Sequence, residues 1–129
     1  MKNISYALII VLVILVSNRY INNIKQRSDH MITPDQVHKK IDQKEKFILV
    51  DVRTEEEFEQ GRIPGSILIP VDELGKKAHP ILKDKNEEII VYCRSGVRSK
   101  AARNILSDMG YKKVLDLGGI IDWPYGIEK

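Results

Sequence analysis

From Ile4 to Val16 the run ISYALIIVLVILV holds no charge, no glycine and no proline. At about 1.5 Å per helical residue it covers only part of a hydrocarbon core about 30 Å thick. Continuing through Ser17, Asn18, Arg19, Tyr20 and Ile21 supplies the remaining length. Arg19 is long enough to reach the polar boundary and Tyr20 is suited to it. The pattern predicts a transmembrane helix over residues 1–21. A cleaved secretory signal shares the basic start and the short apolar run, but it normally ends in small residues. Here the run ends LVSNRY, and cleavage after Ser17 would leave Leu15 at the upstream specificity position. The uncleaved anchor is the reading taken, with the cleaved signal as its alternative. Residues 22–32 (NNIKQRSDHMI) are polar and read as a tether.

Beyond residue 32 short apolar runs alternate with helical spacings. Thr33-Pro34-Asp35-Gln36 predicts a capped helix start with a reciprocal Thr–Gln box and proline at the first helical position, followed by Val37 and Ile41 on one face. Phe47 to Val50 is an unbroken apolar run between charges, the pattern of a strand covered on both faces. Thr54 with Glu55, Glu56 and Glu57 predicts a second capped helix, ending at Gly61 in a left-handed cap, with the glutamates as a solvated, dipole-favoured first turn. Ile67–Ile69 is a short strand. Val71–Leu82 has helical spacing that Gly75 and Pro80 should break up. Ile89–Tyr92 is the next strand, ending in Cys93. Ala101, Ala102, Ile105, Leu106 and Met109 form a helical face stopped by Gly110, with the helix entered near Ser99. Val114–Leu117 is the last strand, before Gly118-Gly119. Strands alternating with helices predict an α/β domain over residues 33–129, a mostly parallel central sheet with helices on both faces.

Composition narrows the function. Of the 129 residues 43% are hydrophobic and 30% charged, the mixture of a folded domain. The formal charge of +3 divides unevenly. Residues 1–28 carry Lys2, Arg19, Lys25 and Arg27 and no acid, leaving 17 of the 21 basic residues against all 18 acidic ones in the remainder. The body is near neutral, so nucleic-acid binding is not expected. Three basic side chains after the apolar run against Lys2 and the α-amino group before it place the domain on the cytoplasmic side, by a margin of one charge. A lone cysteine also suits a reducing compartment, and it excludes a disulfide framework, a CxxC pair and a multi-cysteine metal site. His30, His38 and His79 have no metal spacing and read as surface residues. No dinucleotide or Walker loop is present, so neither cofactor nor metal is expected.

Candidate chemistry gathers at Cys93, at the C-terminal end of a strand, where ligands bind in open parallel sheets. Arg94-Ser95-Gly96-Val97-Arg98 leads from it into a helix. Amides of a tight loop before a helix converge on a point, and the positive end of the helix dipole faces the same way, so a thiolate there is stabilised. Gly96 permits the tight backbone, while Arg94 and Arg98 would attract an anionic ligand.

These residues resemble the single-domain rhodaneses. The matching pieces are Asp51-Val52-Arg53, Glu57-Phe58, Gly61-Arg62-Ile63-Pro64-Gly65-Ser66, Ile69-Pro70, Cys93-Arg94-Ser95-Gly96-Val97-Arg98-Ser99 and Leu117-Gly118-Gly119 with Trp123, in the family's order. The resemblance implies a sulfurtransferase. Cys93 would be the nucleophile and sulfur carrier, accepting sulfane sulfur from a small anionic donor such as thiosulfate and passing it to cyanide or a thiol. The amides of Arg94 to Ser99 would cradle the sulfur anion, and Asp51 and Arg53 would support the loop through pairing. A membrane-tethered sulfur-carrier or partner-binding module, handing sulfur to an unknown protein acceptor, is the alternative. Phosphatase-like relatives need five residues between cysteine and arginine, and here four separate Cys93 from Arg98. Two departures stand out. Arg62 replaces a histidine common in the family, and the short tail after Trp123 is expected to close the domain loosely.

Overall fold

Alternation along the strands decides how the domain is layered. The computed structural model describes residues 2–129. Contacts divide it into an N-terminal helix and a domain beginning at Met31. In the domain, strand β1 (Ile48–Asp51) and strand β3 (Glu88–Cys93) send successive side chains to opposite faces. Val50, Ile89, Val91 and Cys93 join one core, and Leu49, Ile90 and Tyr92 the other. Two cores on one sheet require helices on both sides, and both are present. Leu74 and Ala78 of α4 (Leu74–Ile81) and Ala102 and Leu106 of α5 (Val97–Asp108) pack on the first face. Val37 of α2 (Pro34–Asp42) packs on the second.

The sheet is wholly parallel, in the order β2-β1-β3-β4, with β2 at Ile67–Leu68 and β4 at Lys113–Gly119. The chain runs outward from β1 to β2, then returns past β1 and runs the other way through β3 to β4. The direction therefore reverses between β1 and β3, which leaves a crevice beyond their carboxyl ends, the usual ligand position in such sheets. Cys93 is the last residue of β3. Beside it β4 carries one extra residue: Val91 faces Asp116 but Tyr92 faces Gly118 and Cys93 faces Gly119. This bulge delivers the glycine pair to the cysteine.

Local signals produced the helix starts. Thr33 accepts from the Gln36 amide while Gln36 accepts from that of Thr33, and Thr54 and Glu57 form the same reciprocal box at the head of α3 (Glu55–Gln60). Several details differ from the sequence reading. Ile41 is exposed, because the short α2 buries only Val37. Gly61 is extended (φ 159°, ψ 139°), not a left-handed cap, since Arg62 goes directly into backbone pairing with Glu128. Gly75 and Pro80 do not break the fourth helix. Pro80 falls in its exposed last turn, so only the end of the helix lacks a donor, and a 3-10 turn (Val71–Glu73) precedes it. The fifth helix starts at Val97, two residues earlier than Ser99, because Gly96 supplies its cap.

Helix α1 (Lys2–Asp29) continues through the polar residues 22–29, so most of the expected tether is helical. Residues Met31 and Ile32 pair with Asp116 at the edge of β4. Ser5–Gln26 is long and apolar enough to cross a membrane, and none of that stretch is buried. A signal sequence has the same properties.

Candidate active site

The end of β1 is closed by its own side chains. Asp51 is fully buried, and Arg53, 6% exposed, forks around it. Arg53 donates from its amide (2.9 Å), from Nε to both carboxylate oxygens (3.0 Å each) and from Nη2 (2.7 Å). A further Nη2 bond of 2.7 Å reaches the Gly61 carbonyl. Two buried charges are thereby paired, and the Asp51 carboxylate is fully taken up, the arrangement that makes burial tolerable. The expected pairing of Asp51 with Arg53 is what the structure contains.

At the end of β3 the opposite holds. Cys93 is 1% exposed, and its sulfur receives the Gly96 N–H at 3.0 Å. Gly96 reaches that position at φ 104°, which a side-chain-bearing residue adopts only under strain. Burial pushes the Cys93 thiol up, but hydrogen bonding from Ser99, Gly96 and Ser95 outweighs it and leaves the thiol below its ordinary value. The Ser99 hydroxyl has one proton, and in this geometry it is given to a carbonyl, Gly96 O at 3.1 Å or Gly118 O at 3.4 Å. Ser99 therefore favours the thiolate through its amide, and through its hydroxyl only on rotation.

Glycines of β4 make room for the loop. A Cβ at Gly119 would fall against Arg94 O and within 2.8 Å of Ser95 Cα, so only hydrogen fits. In the sequence Gly118-Gly119 simply follow the last strand; their approach to the cysteine loop depends on the sheet register.

The two loop arginines part company. Arg98 is bound by Glu57 through two bonds, Nη1–Oε1 at 2.6 Å and Nη2–Oε2 at 3.0 Å. Arg98 holds the Glu57 carboxyl down at about 2. Arg98 is thus not the uncommitted cation expected, and Glu57 is not merely a solvated helix start. The sequence reading gives Glu57 no role at the site; its own place among the family-matching pieces, in Glu57-Phe58, was the available signal. Arg94 is exposed and has no ion pair among the described residues, and Val97 is also exposed.

Arg94 lines a cleft of about 550 Å³ together with Arg53, Glu57, Ile120, Ile121 and Trp123, beyond the ends of β1, β3 and β4. The C-terminal tail forms part of it through Gly126 and Ile127. That tail is held, contrary to the loose closure expected. Arg62 and Glu128 exchange two backbone bonds of 2.9 Å, the Arg62 side chain sits over Phe58, and Tyr125 bonds Asp35. His38, taken as a plain surface histidine, stacks on Tyr125 at 3.8 Å. No group of metal-ligating side chains occurs among the described residues.

Comparison with known proteins gives a consistent set of relatives. The family profile described as "Rhodanese-like domain" matches residues 33–124. The thiosulfate sulfurtransferase PspE of Escherichia coli (strain K12) is 40% identical over 73 residues, covering 57% of this chain and 70% of that protein. YrkF of Bacillus subtilis (strain 168), named for a sulfur-carrier role, is 39% identical over 85 residues; the match covers 65% of this chain and only 45% of YrkF. Among solved structures, a "rhodanese with anions from E. coli" superposes with TM-score 0.60 at 36% identity, covering 64% of this chain and 96% of that one.

Proposed function

The chain belongs to the rhodanese-like domain family, and from that premise we propose that it transfers sulfane sulfur through a persulfide on Cys93. The observation that carries this reading is the Gly96 amide seated on the Cys93 sulfur at 3.0 Å, inside a loop that opens a helix. In the first step the Cys93 thiolate attacks the outer sulfur of thiosulfate. The Sγ–S bond forms as the donor's S–S bond breaks, and sulfite leaves with the bonding pair. Loop amides from Arg94 to Ser99 stabilise the terminal sulfur anion as preorganised donors. In the second step cyanide or a thiol takes that sulfur and Cys93 returns as thiolate. Arg94 attracts the donor, Arg98 helps hold the loop through Glu57, and the Asp51–Arg53 pair braces the floor.

Intact mass of the full chain in detergent after thiosulfate treatment tests this. A species heavier by one sulfur, discharged by cyanide and absent in Cys93→Ser, is the expected result. An unchanged wild-type mass under thiolate-forming conditions would sink it.

A second reading, a membrane-tethered carrier or partner-binding module with little thiosulfate turnover, draws support from the Glu57–Arg98 pair, which leaves Arg94 to attract a small anion alone. In both readings residues 1–21 anchor the domain 33–129 to the membrane, on its cytoplasmic face. Carbonate extraction with N-terminal sequencing separates this from a cleaved signal: the intact N-terminus must remain in the membrane fraction.

A further inference from the structure

Charge is distributed unevenly along the strand direction, although the domain as a whole is near neutral. In a parallel sheet the helix-to-strand connections fall at the end where the strands begin, opposite the Cys93 end. Here the connections at residues 43–47, 82–87 and 109–112 are rich in lysine. Some of these side chains are already engaged. Lys40, at the end of α2, bridges Glu45 and Glu88, Lys46 lies 3.9 Å from Glu87, and Lys85 donates to Met109 O at 2.8 Å. The ammonium groups of Lys39, Lys44, Lys83, Lys112 and Lys113 are exposed and have neither ion pair nor hydrogen bond among the described residues. Against these five stand three exposed acids without a lysine partner, Asp42, Asp84 and Asp108. At the Cys93 end the balance reverses: Glu55, Glu56, Asp72 and Asp122 are exposed, against Arg94, Lys76 and Lys100. A near-neutral domain is thus basic at one end and slightly acidic at the other.

The chain also enters the domain from the basic end. Met31 pairs with Asp116 in the parallel sense, so the chain reaches Met31 from the side on which β4 begins, the side of Lys113. Ile32 keeps that direction, donating to Asp116 O at 3.0 Å. Five residues lead from Gln26, where the membrane-long stretch ends, to Met31, a reach of about 18 Å at most. We propose that the lysine end of the domain rests on an anionic lipid surface, the headgroups of the bilayer that holds residues 1–21, and turns the Cys93 end toward water. The proposal rests on the anchor reading above and adds a second attachment to it. The anchor supplies the association, so a modest surplus of charge has only to choose an orientation. The negative potential of such a surface draws lysines that come within about 8–10 Å of it at ordinary ionic strength.

The test reconstitutes the full chain into vesicles of phosphatidylcholine, alone or with about 30 mol% phosphatidylglycerol, and labels lysines from outside with a membrane-impermeant acetylating ester. Mass spectrometry of the digested protein gives each lysine's rate relative to Lys100, which lies at the Cys93 end of the same molecule. Lys44, Lys83, Lys112 and Lys113 should react at least about threefold more slowly, relative to Lys100, on the anionic vesicles than on the neutral ones, and about 0.5 M salt should remove the difference. Lys112→Gln combined with Lys113→Gln, both at exposed positions, should reduce the protection of Lys44 and Lys83 to about 1.5-fold or less. Rates that follow Lys100 in both lipids, or protection as strong on neutral vesicles, overturn the proposal. Carbonate washing of the same vesicles reads the anchor separately. Chain released by carbonate fails the anchor reading and the proposal with it, whereas retained chain with unprotected lysines fails only the orientation.

Discussion

The neighbouring ends of β1 and β3 put charge to opposite uses. At β1 the Asp51 carboxylate and the Arg53 guanidinium satisfy each other with good geometry and leave little capacity over. At β3 the sulfur has one short amide contact, a lowered pKa and, next in the chain, Arg94, which has no ion pair among the described residues. A buried carboxylate taken up by its partner is chemically silent. A site that keeps donor capacity for something that arrives later must be held in shape by its surroundings. Here those surroundings are the β1 pair, the β4 glycines and the Glu57–Arg98 bridge.

Breaking the saturated end should cost most. Asp51→Ala leaves Arg53 buried without its counter-charge and should destabilise the domain by about 3–5 kcal/mol in urea unfolding. A loss under about 1 kcal/mol would mean that water or another acceptor replaces the carboxylate. Crowding the open end is next. Gly119→Ala drives a methyl into the Arg94–Ser95 backbone, and persulfide formation should slow at least about tenfold through misplacement of the loop. Unchanged kinetics would show that the loop gives way freely.

Glu57→Gln sharpens the contrast by removing charge and little volume. With Arg98 no longer neutralised, KM for thiosulfate should fall about three- to tenfold while the domain stays folded. A rise in KM would assign Glu57 to loop support alone. The same carboxylate predicts an acid response. Its folded pKa of about 2 lies below the ordinary 4.5, so its stabilisation is complete above pH 4.5 and is lost as pH falls toward 2. Acid unfolding of Glu57→Gln should therefore be less steep in that window, and parallel curves would contradict the pairing. The smallest effect concerns the thiol. Iodoacetamide labelling of Cys93 should have its midpoint below that of a free thiol, about pH 8.5, and Ser99→Ala should leave most of that shift because the amides remain.

Much of this is legible in the sequence. Apolar runs marked the strands, threonine caps marked α2 and α3, and Cys93 fell at the end of β3 because a buried strand gives way there to a glycine-containing loop. Such signals are local: capping boxes span three residues and helical faces repeat within four. The sequence by itself thus determined the elements, their parallel arrangement and the position of Cys93. Tertiary structure alone decided which charges remain available around it. Glu57 meets Arg98 across 41 residues, and Arg62 meets Glu128 across 66. The β4 bulge sets Gly119 against the Cys93 loop. These partnerships depend on strand register and on where the chain reverses across the sheet, and no short-range periodicity encodes either. Arg94 and Arg98 look equivalent along the chain; the fold neutralises one and leaves the other facing the cleft.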